Sequence, residues 1–259
     1  MNNKDASVRC TMQISVAEKQ AEIQIDVPAG KVKLQRMLPF LQELTNMFVQ
    51  NFVRKTEKDG RRISCKAKCG ACCRQLVPIS KIEAYHLSKL VRNLPALEKK
   101  KISKRFEKAV EQLESIGWMA KMRGVADLSF DERQTLGIEY FQQGIPCPFL
   151  ENESCSIHKD RPLVCREYLV TSPAENCASP SGETIDMVPV QPKLSPTLNK
   201  LSAEIIGDGE PGYIPLVNTL EWTRERPDLQ PAKTGREWVE MIVGNMGSSD
   251  RQGDPEKEA

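Results

Sequence analysis

The 259-residue sequence predicts a mostly helical α+β protein, with a small N-terminal strand or hairpin and helices surrounding a loop-rich cysteine cluster. Three observations carry this expectation. Apolar residues recur at three- and four-residue steps over several long stretches, as in helices with one buried face. Strict alternation of apolar and polar residues is confined to one segment near the N-terminus. Eight of the nine cysteines fall between Cys65 and Cys177, in stretches rich in turn residues.

Taken in order, Ile23, Ile25 and Val27 alternate with polar residues, predicting a strand or hairpin that closes at Pro28-Ala29-Gly30. Leu34, Met37, Leu38, Leu41, Leu44, Phe48 and Phe52 then predict an amphipathic helix from Lys33 to about Lys55, stopped by Asp59-Gly60. Ser80 and Glu83 form a capping box that opens a helix from Lys81 to about Asn93. Ile102, Phe106, Val110 and Leu113 make one stripe of a longer surface helix ending near Gly117. A second box, Ser129 and Glu132, opens a helix that Gly144 stops. The segment from Cys147 to Cys177, broken by Pro148, Pro162 and Pro173, reads as loop pinned by its cysteines. Ser195-Pro196 starts a helix with Leu198, Leu201 and Ile205 on its apolar side, and Thr234 with Glu237 opens a last one through Trp238 and Ile242. The expected organisation is 1–59 as strand and amphipathic helix, 60–180 as the cysteine-cluster domain, 181–246 as a helical extension packed on it, and 247–259 as a disordered tail.

A chain of this length buries roughly 70–75% of its extended surface, so a real core is available. An apolar fraction of 39%, a charged fraction of 28% and a net charge of +2 give no prior for nucleic acid or membrane partners. No apolar run reaches the roughly 18 residues of a spanning helix, and no apolar region follows Lys4, so the expected compartment is the cytoplasm. Disulfides are uncommon there, which turns attention to metal binding or redox chemistry.

Counting along the chain gives a first quartet, Cys65, Cys69, Cys72 and Cys73, and a second, Cys147, Cys155, Cys165 and Cys177. Thiolates bind soft or borderline metals, and two quartets suit two four-thiolate sites or one polynuclear cluster. Gly70 offers the permissive backbone that a tight turn between Cys69 and Cys72 wants. Adjacent residues point in different directions, so Cys72 and Cys73 serve different metals or one of them bridges, which favours interleaved quartets. Buried small hydrophobes and a redox relay are the competing readings; scattered core cysteines seldom cluster with glycine, lysine and arginine. Lys58, Arg61, Arg62, Lys66, Lys68 and Arg74 offset thiolate charge or form a solvated cationic face. No aromatic residue lies between Arg54 and Arg74, against a single-stranded nucleic-acid groove. His86 reads as packed or half-exposed, His158 stands three residues after Cys155, and both are secondary ligand candidates. Cys10 lies outside the group, and Cys10→Ser is expected to change neither metal content nor stability.

The pieces CKAKCGACCR, CPFLENESCSIHKDRPLVCREY and SPAENC are similar to the bacterial YkgJ-type CxxCxxCC cysteine-cluster family, which is described as a zinc- or iron-chelating domain. The resemblance covers about Gly60 to Cys177. It implies that the eight family cysteines are Cys65, Cys69, Cys72, Cys73, Cys147, Cys155, Cys165 and Cys177, and that Arg161, Pro162, Arg166 and Tyr168 belong to the signature. The implied cofactor is zinc or iron, including an iron–sulfur cluster. The domain also occurs in proteins that resemble flagellin lysine N-methylases, so an iron–sulfur enzyme of redox or protein-lysine methyl-transfer type is the alternative.

The string Gly207 to Gly212 spells GxGxxG, but Pro211 and Tyr213-Ile214-Pro215 deny it a helix start, and it reads as a loop. Cys65, Cys69 and Cys72 also have the spacing of radical S-adenosylmethionine enzymes. Ala71 stands where those enzymes carry an aromatic, and no repeating strands follow. The reading is therefore a metal-binding cysteine-cluster protein with an unidentified protein partner, and without nucleic-acid or membrane partners.

Overall fold

The computed structural model describes residues 6–16, 19–179 and 184–246, with side chains for all of these except 14–16 and 19–21. The expected disordered tail, 247–259, lies outside the described residues.

Strands β1 (Ser7–Val16) and β2 (Lys19–Pro28) form an antiparallel hairpin running from Ser7 opposite Pro28 to Val16 opposite Lys19. Its alternation sets one face inward: Cys10 lies opposite Ile25 and Met12 opposite Ile23, and all four join Val27 against the largest apolar cluster. Cys10 is only 4% exposed. The expectation that Cys10→Ser leaves stability unchanged is therefore corrected, because a hydroxyl there would be buried without an evident partner.

Strand β3 (Lys31–Val32) leads into a 3-10 turn, Leu34–Met37, and then helix α1 (Leu38–Lys58). The α-helix starts about a turn later than the expected Lys33 for a physical reason: Pro39 has no N–H to give the carbonyl four residues back, so it settles in the first α-helical turn and the preceding turn is 3-10. Leu38, Leu41, Leu44, Phe48 and Phe52 are buried, as their spacing required.

Strand β4 (Pro78–Ser80) precedes α2 (Lys81–Arg92), whose capping box is complete: Ser80 Oγ accepts the Glu83 N–H, and Glu83 accepts the Ser80 N–H. Helix α3 (Ala96–Ser115) ends before Gly117, which takes a positive φ of 71°. Helices α4 (Trp118–Arg123) and α5 (Phe130–Gln142) follow, with α3 making a second layer around Trp118, Leu136 and Tyr140. The cysteine segment holds a two-stranded hairpin, β5 (Leu150–Glu151) and β6 (Ser154–Cys155), and the short helix α6 (Leu163–Glu167). Helix α7 (Leu194–Ile206), strand β7 (Tyr213–Pro215), helix α8 (Thr219–Glu225), strand β8 (Lys233–Thr234) and helix α9 (Gly235–Met246) complete the chain.

Two small pairings tie distant segments together: β3 runs antiparallel to β8, and β4 to β7. Helices α1, α7 and α9 and the N-terminal hairpin share one core with Leu163 of α6. The Gly207–Gly212 string is a loop, as read, and it has a structural task. Asp208 binds the fully buried Lys81 ammonium at 2.6 Å, and the Gly212 carbonyl accepts the Lys81 N–H at 3.0 Å. Among the described residues no helix is long and apolar enough to cross a membrane.

The other two boxes form as read. Glu132 accepts the Ser129 N–H at 2.7 Å, and Glu237 accepts the Thr234 N–H at 2.7 Å. The Ser129 and Thr234 hydroxyls, which donate to the same carboxyls, and then these N–H groups hold both exposed carboxyls below the ordinary value for glutamate. A depressed folded value means stabilisation that is complete above the ordinary value and lost as pH falls through the folded one. Wild type should therefore melt above Glu132→Gln at pH 7, with the two melting temperatures converging on acidification. A gap that persists at low pH would show that the charge contributes nothing.

Candidate metal centre

The first cysteine segment is a succession of tight turns. The Cys69 N–H donates to the Lys66 carbonyl, with Lys68 at a φ of 63°, and the Cys73 N–H donates to the Gly70 carbonyl at 3.0 Å. Cys72 and Cys73 lie on a 3-10 turn, Ala71–Arg74. This turn packs against a second one, Ala174–Ala178, that carries Cys177. Upstream, the Ser64 N–H donates to the Val170 carbonyl at 2.9 Å, fixing Cys65 beside the chain that leaves α6.

The second segment is more ordered than its composition suggested. Asn152 and Glu153 both take positive φ, 49° and 57°, making the two-residue turn of the β5–β6 hairpin and placing Cys155 on its return strand. The Cys147 N–H donates to the Cys73 carbonyl at 2.7 Å, so the two quartets are joined through the backbone. Arg74 clamps the same junction: its guanidinium binds both Glu153 oxygens, at 2.7 and 3.0 Å, and the Gly70 carbonyl. Arg74 thus answers a carboxylate first.

Gly70 matters for a different reason from the one its turn suggested. Its φ is −99°, open to any residue, but an added Cβ would stand 2.5 Å from Glu153 Oε2 and 2.8 Å from Leu150 Cδ1, side-chain ends that can turn aside, and 3.2 Å from the backbone Glu153 Cα, which cannot. The missing side chain lets the Cys155 hairpin approach. Gly70→Ala should cost about 1–3 kcal/mol through overpacking and push the hairpin outward. A lowered melting temperature together with less metal retained per chain would check this; an unchanged variant would refute the close approach.

Seven of the eight cysteines, Cys65, Cys69, Cys72, Cys73, Cys147, Cys155 and Cys165, line one cavity of about 580 Å³. Cys177 lies behind it, its carbonyl accepting from Gln75 Nε2 at 3.3 Å and its sulfur hydrogen-bonded with Tyr168. All nine cysteines are free thiols. Among the described residues, no three Cys, His, Asp or Glu side chains already converge on one point as metal ligands do. The thiols ring the cavity, and the donor chemistry fits a soft or borderline cation.

Their electrostatics follow from crowding. Burial pushes the Cys147 thiol up to about 12. Burial and then Cys147, Cys72 and Cys155 push Cys165 well above the ordinary thiol value, while Cys72 is raised first by its hydrogen bond with Cys73 and then by burial. Burial also raises Cys65, Cys155 and Cys177. Cys72 acts on Cys65, Cys147, Cys155, Cys165 and Cys177, members of both quartets. Cys177 keeps company with Cys65 and Cys69, and Cys165 with Cys147 and Cys155, so proximity does not follow chain order.

The two histidines separate. His158 lines the cavity, with Arg161 foremost in pushing its pKa below the ordinary value, so the imidazole is neutral at pH 7. His86 instead faces Asp160, with 3.2 Å between Nε2 and Oδ1. Sequence reading missed the supports behind α6. Glu83 Oε1 accepts the Leu163 N–H at 2.8 Å, capping the helix that carries Cys165. Glu167, at the other end of α6, accepts the Leu194 and Ser195 N–H groups, at 2.6 and 3.1 Å, and caps α7. Arg166 donates to Asn46 Oδ1 at 3.1 Å and so anchors α6 to α1. No local signal in the sequence pairs these residues.

Residues 64–183 match the CxxCxxCC family model, described as a putative zinc- or iron-chelating domain. No curated protein and no solved structure gives a significant match.

Proposed function

We propose that this cysteine-cluster domain is a metal-binding centre whose ligands are Cys65, Cys69, Cys72, Cys73, Cys147, Cys155, Cys165 and Cys177. The observation that carries the reading is that seven of these thiols line a single cavity while the eighth cysteine is hydrogen-bonded to Gln75 and Tyr168 of its lining. Proximity suggests how they divide: Cys65, Cys69 and Cys177 on one side, Cys147, Cys155 and Cys165 on the other, with Cys72 and Cys73 completing one site each. Bound metal, zinc or iron, would supply the positive charge that lets crowded thiols lose their protons and bind as thiolates. The chain's own part is to hold the sulfurs on turns and a short helix that are fixed from outside the cavity. Four thiolates per zinc leave no open position, which makes the centre structural and the protein a module for an unidentified partner in the cytoplasm.

Elemental analysis with an absorption spectrum, on protein purified without oxygen and without added metal, tests this. About two zinc per chain and no colour support closed four-thiolate sites. Iron with acid-labile sulfide and a brown chromophore would place a cluster on the same cysteines instead. Protein free of both metals, and unable to take them up when reduced, would overturn the proposal. The methyl-transfer alternative has no comparable observation behind it, since the Gly207–Gly212 string is engaged in holding Lys81.

A further inference from the structure

We infer that the Arg161 guanidinium is the built-in counter-charge of the cysteine cavity, its Nε–H placed to donate to thiolate sulfur when metal is bound and left without an acceptor when it is not. The inference rests on the metal-binding reading above. Arg161 lines the cavity, and its Nε is buried with no hydrogen-bond partner. The other arginines around the site are engaged. Arg74 binds Glu153, Arg105 donates to the Pro148 carbonyl and Glu151, and Arg166 donates to Asn46 and to the Arg161 carbonyl. Lys66 and Lys68 also line the cavity but are exposed, so water can satisfy them.

Arg161 is part-buried as a residue, but its Nε–H is shut off from water, and a buried donor left unpaired is costly. Besides His158 and Arg166, the Arg161 charge acts on the thiols of Cys65, Cys72 and Cys155, from both quartets. Neutral thiols are weak acceptors, whereas metal-bound thiolates carry negative charge and accept N–H strongly. Four thiolates around one divalent ion leave a net charge of −2, so loading turns an unfavourably placed cation into a paired one. Arg161 then strengthens metal binding while weakening, or not helping, the metal-free fold. A purely structural arginine would support both states alike.

That difference in sign is the test. Wild type, Arg161→Met and Arg161→Lys are reduced, stripped of metal, reloaded with zinc, and compared by metal-free melting temperature and by the rate of zinc transfer to a chromogenic chelator. Metal-free Arg161→Met should melt at or above wild type, yet give up zinc about tenfold faster or more. Arg161→Lys keeps the charge without the Nε donor and should fall between the two. Zinc retention equal to wild type in either variant would overturn the inference, as would a metal-free Met variant that melts well below wild type or fails to fold. A wild type that takes up no zinc or iron removes the metal reading itself, and this is seen before any variant is compared.

Discussion

Cys165→Ser should lose metal and stability together, whereas Cys10→Ser should lose only stability. Cys165 lies in the middle of α6 and faces the cavity, within reach of Cys147, Cys72 and Cys155. A serine oxygen is a poor ligand for zinc among thiolates, so that site empties and the neighbouring thiols return to neutral, crowded burial. Structural zinc contributes on the order of 10–16 kcal/mol in small peptides. In a protein with a separate core we expect to lose a fraction of this, about 5 kcal/mol, or about 10–20 °C in melting temperature for a domain of this size. The loss should be local. Helices α1, α7 and α9 and the N-terminal hairpin share a core that the cavity meets only through Leu169, at its edge, so most of the helical signal should survive while proteolysis opens the cysteine segments. Cys10 belongs to that other core, and Cys10→Ser should cost about 1–2 kcal/mol with metal content unchanged. Metal analysis and denaturant titration of both variants decide the matter. Equal metal content in the two would sink the ligand assignment.

What was legible in advance depended on how local the physics is. All three capping boxes, at Ser80, Ser129 and Thr234, are interactions across three residues, and each formed. The apolar stripe of α1 could be read because one face of a helix repeats at fixed steps. The start of α1 was displaced by a single proline, and α4 and α8 are short helices without side-chain caps, so neither left a pattern. The β5–β6 hairpin escaped notice because Asn152-Glu153 lacks the glycine that usually marks such a turn. The cysteine spacing announced a centre. It could not show that the turn carrying Cys177 packs on the turn carrying Cys72 and Cys73, that Gly70 makes room for Glu153, or that the Arg161 Nε–H is buried without a partner. Those facts depend on where segments meet after folding.

The meeting point with the largest consequence outside the thiols is Glu83, and Glu83→Gln should cost about 2–4 kcal/mol. Its carboxylate is 3% exposed and serves two helices at once. Oε2 accepts from the Ser80 N–H and hydroxyl at the start of α2, while Oε1 accepts the Leu163 N–H at the start of α6. A glutamine amide is isosteric but replaces one acceptor with a donor, so whichever way it turns, an N–H faces an N–H in a buried place. Turning the amide oxygen toward Ser80 frees Leu163, and the cysteine helix loses the acceptor that sets its first turn. Metal retention should then fall although no ligand has been touched. Ser80→Ala separates the two effects. It removes the capping hydroxyl but leaves the Glu83–Leu163 bond, so it should cost only about 1 kcal/mol and leave the metal in place. If Ser80→Ala released metal as readily as Glu83→Gln, the link would run through α2 as a whole; if Glu83→Gln kept its metal, the tether from Glu83 to α6 would hold the helix without holding the site.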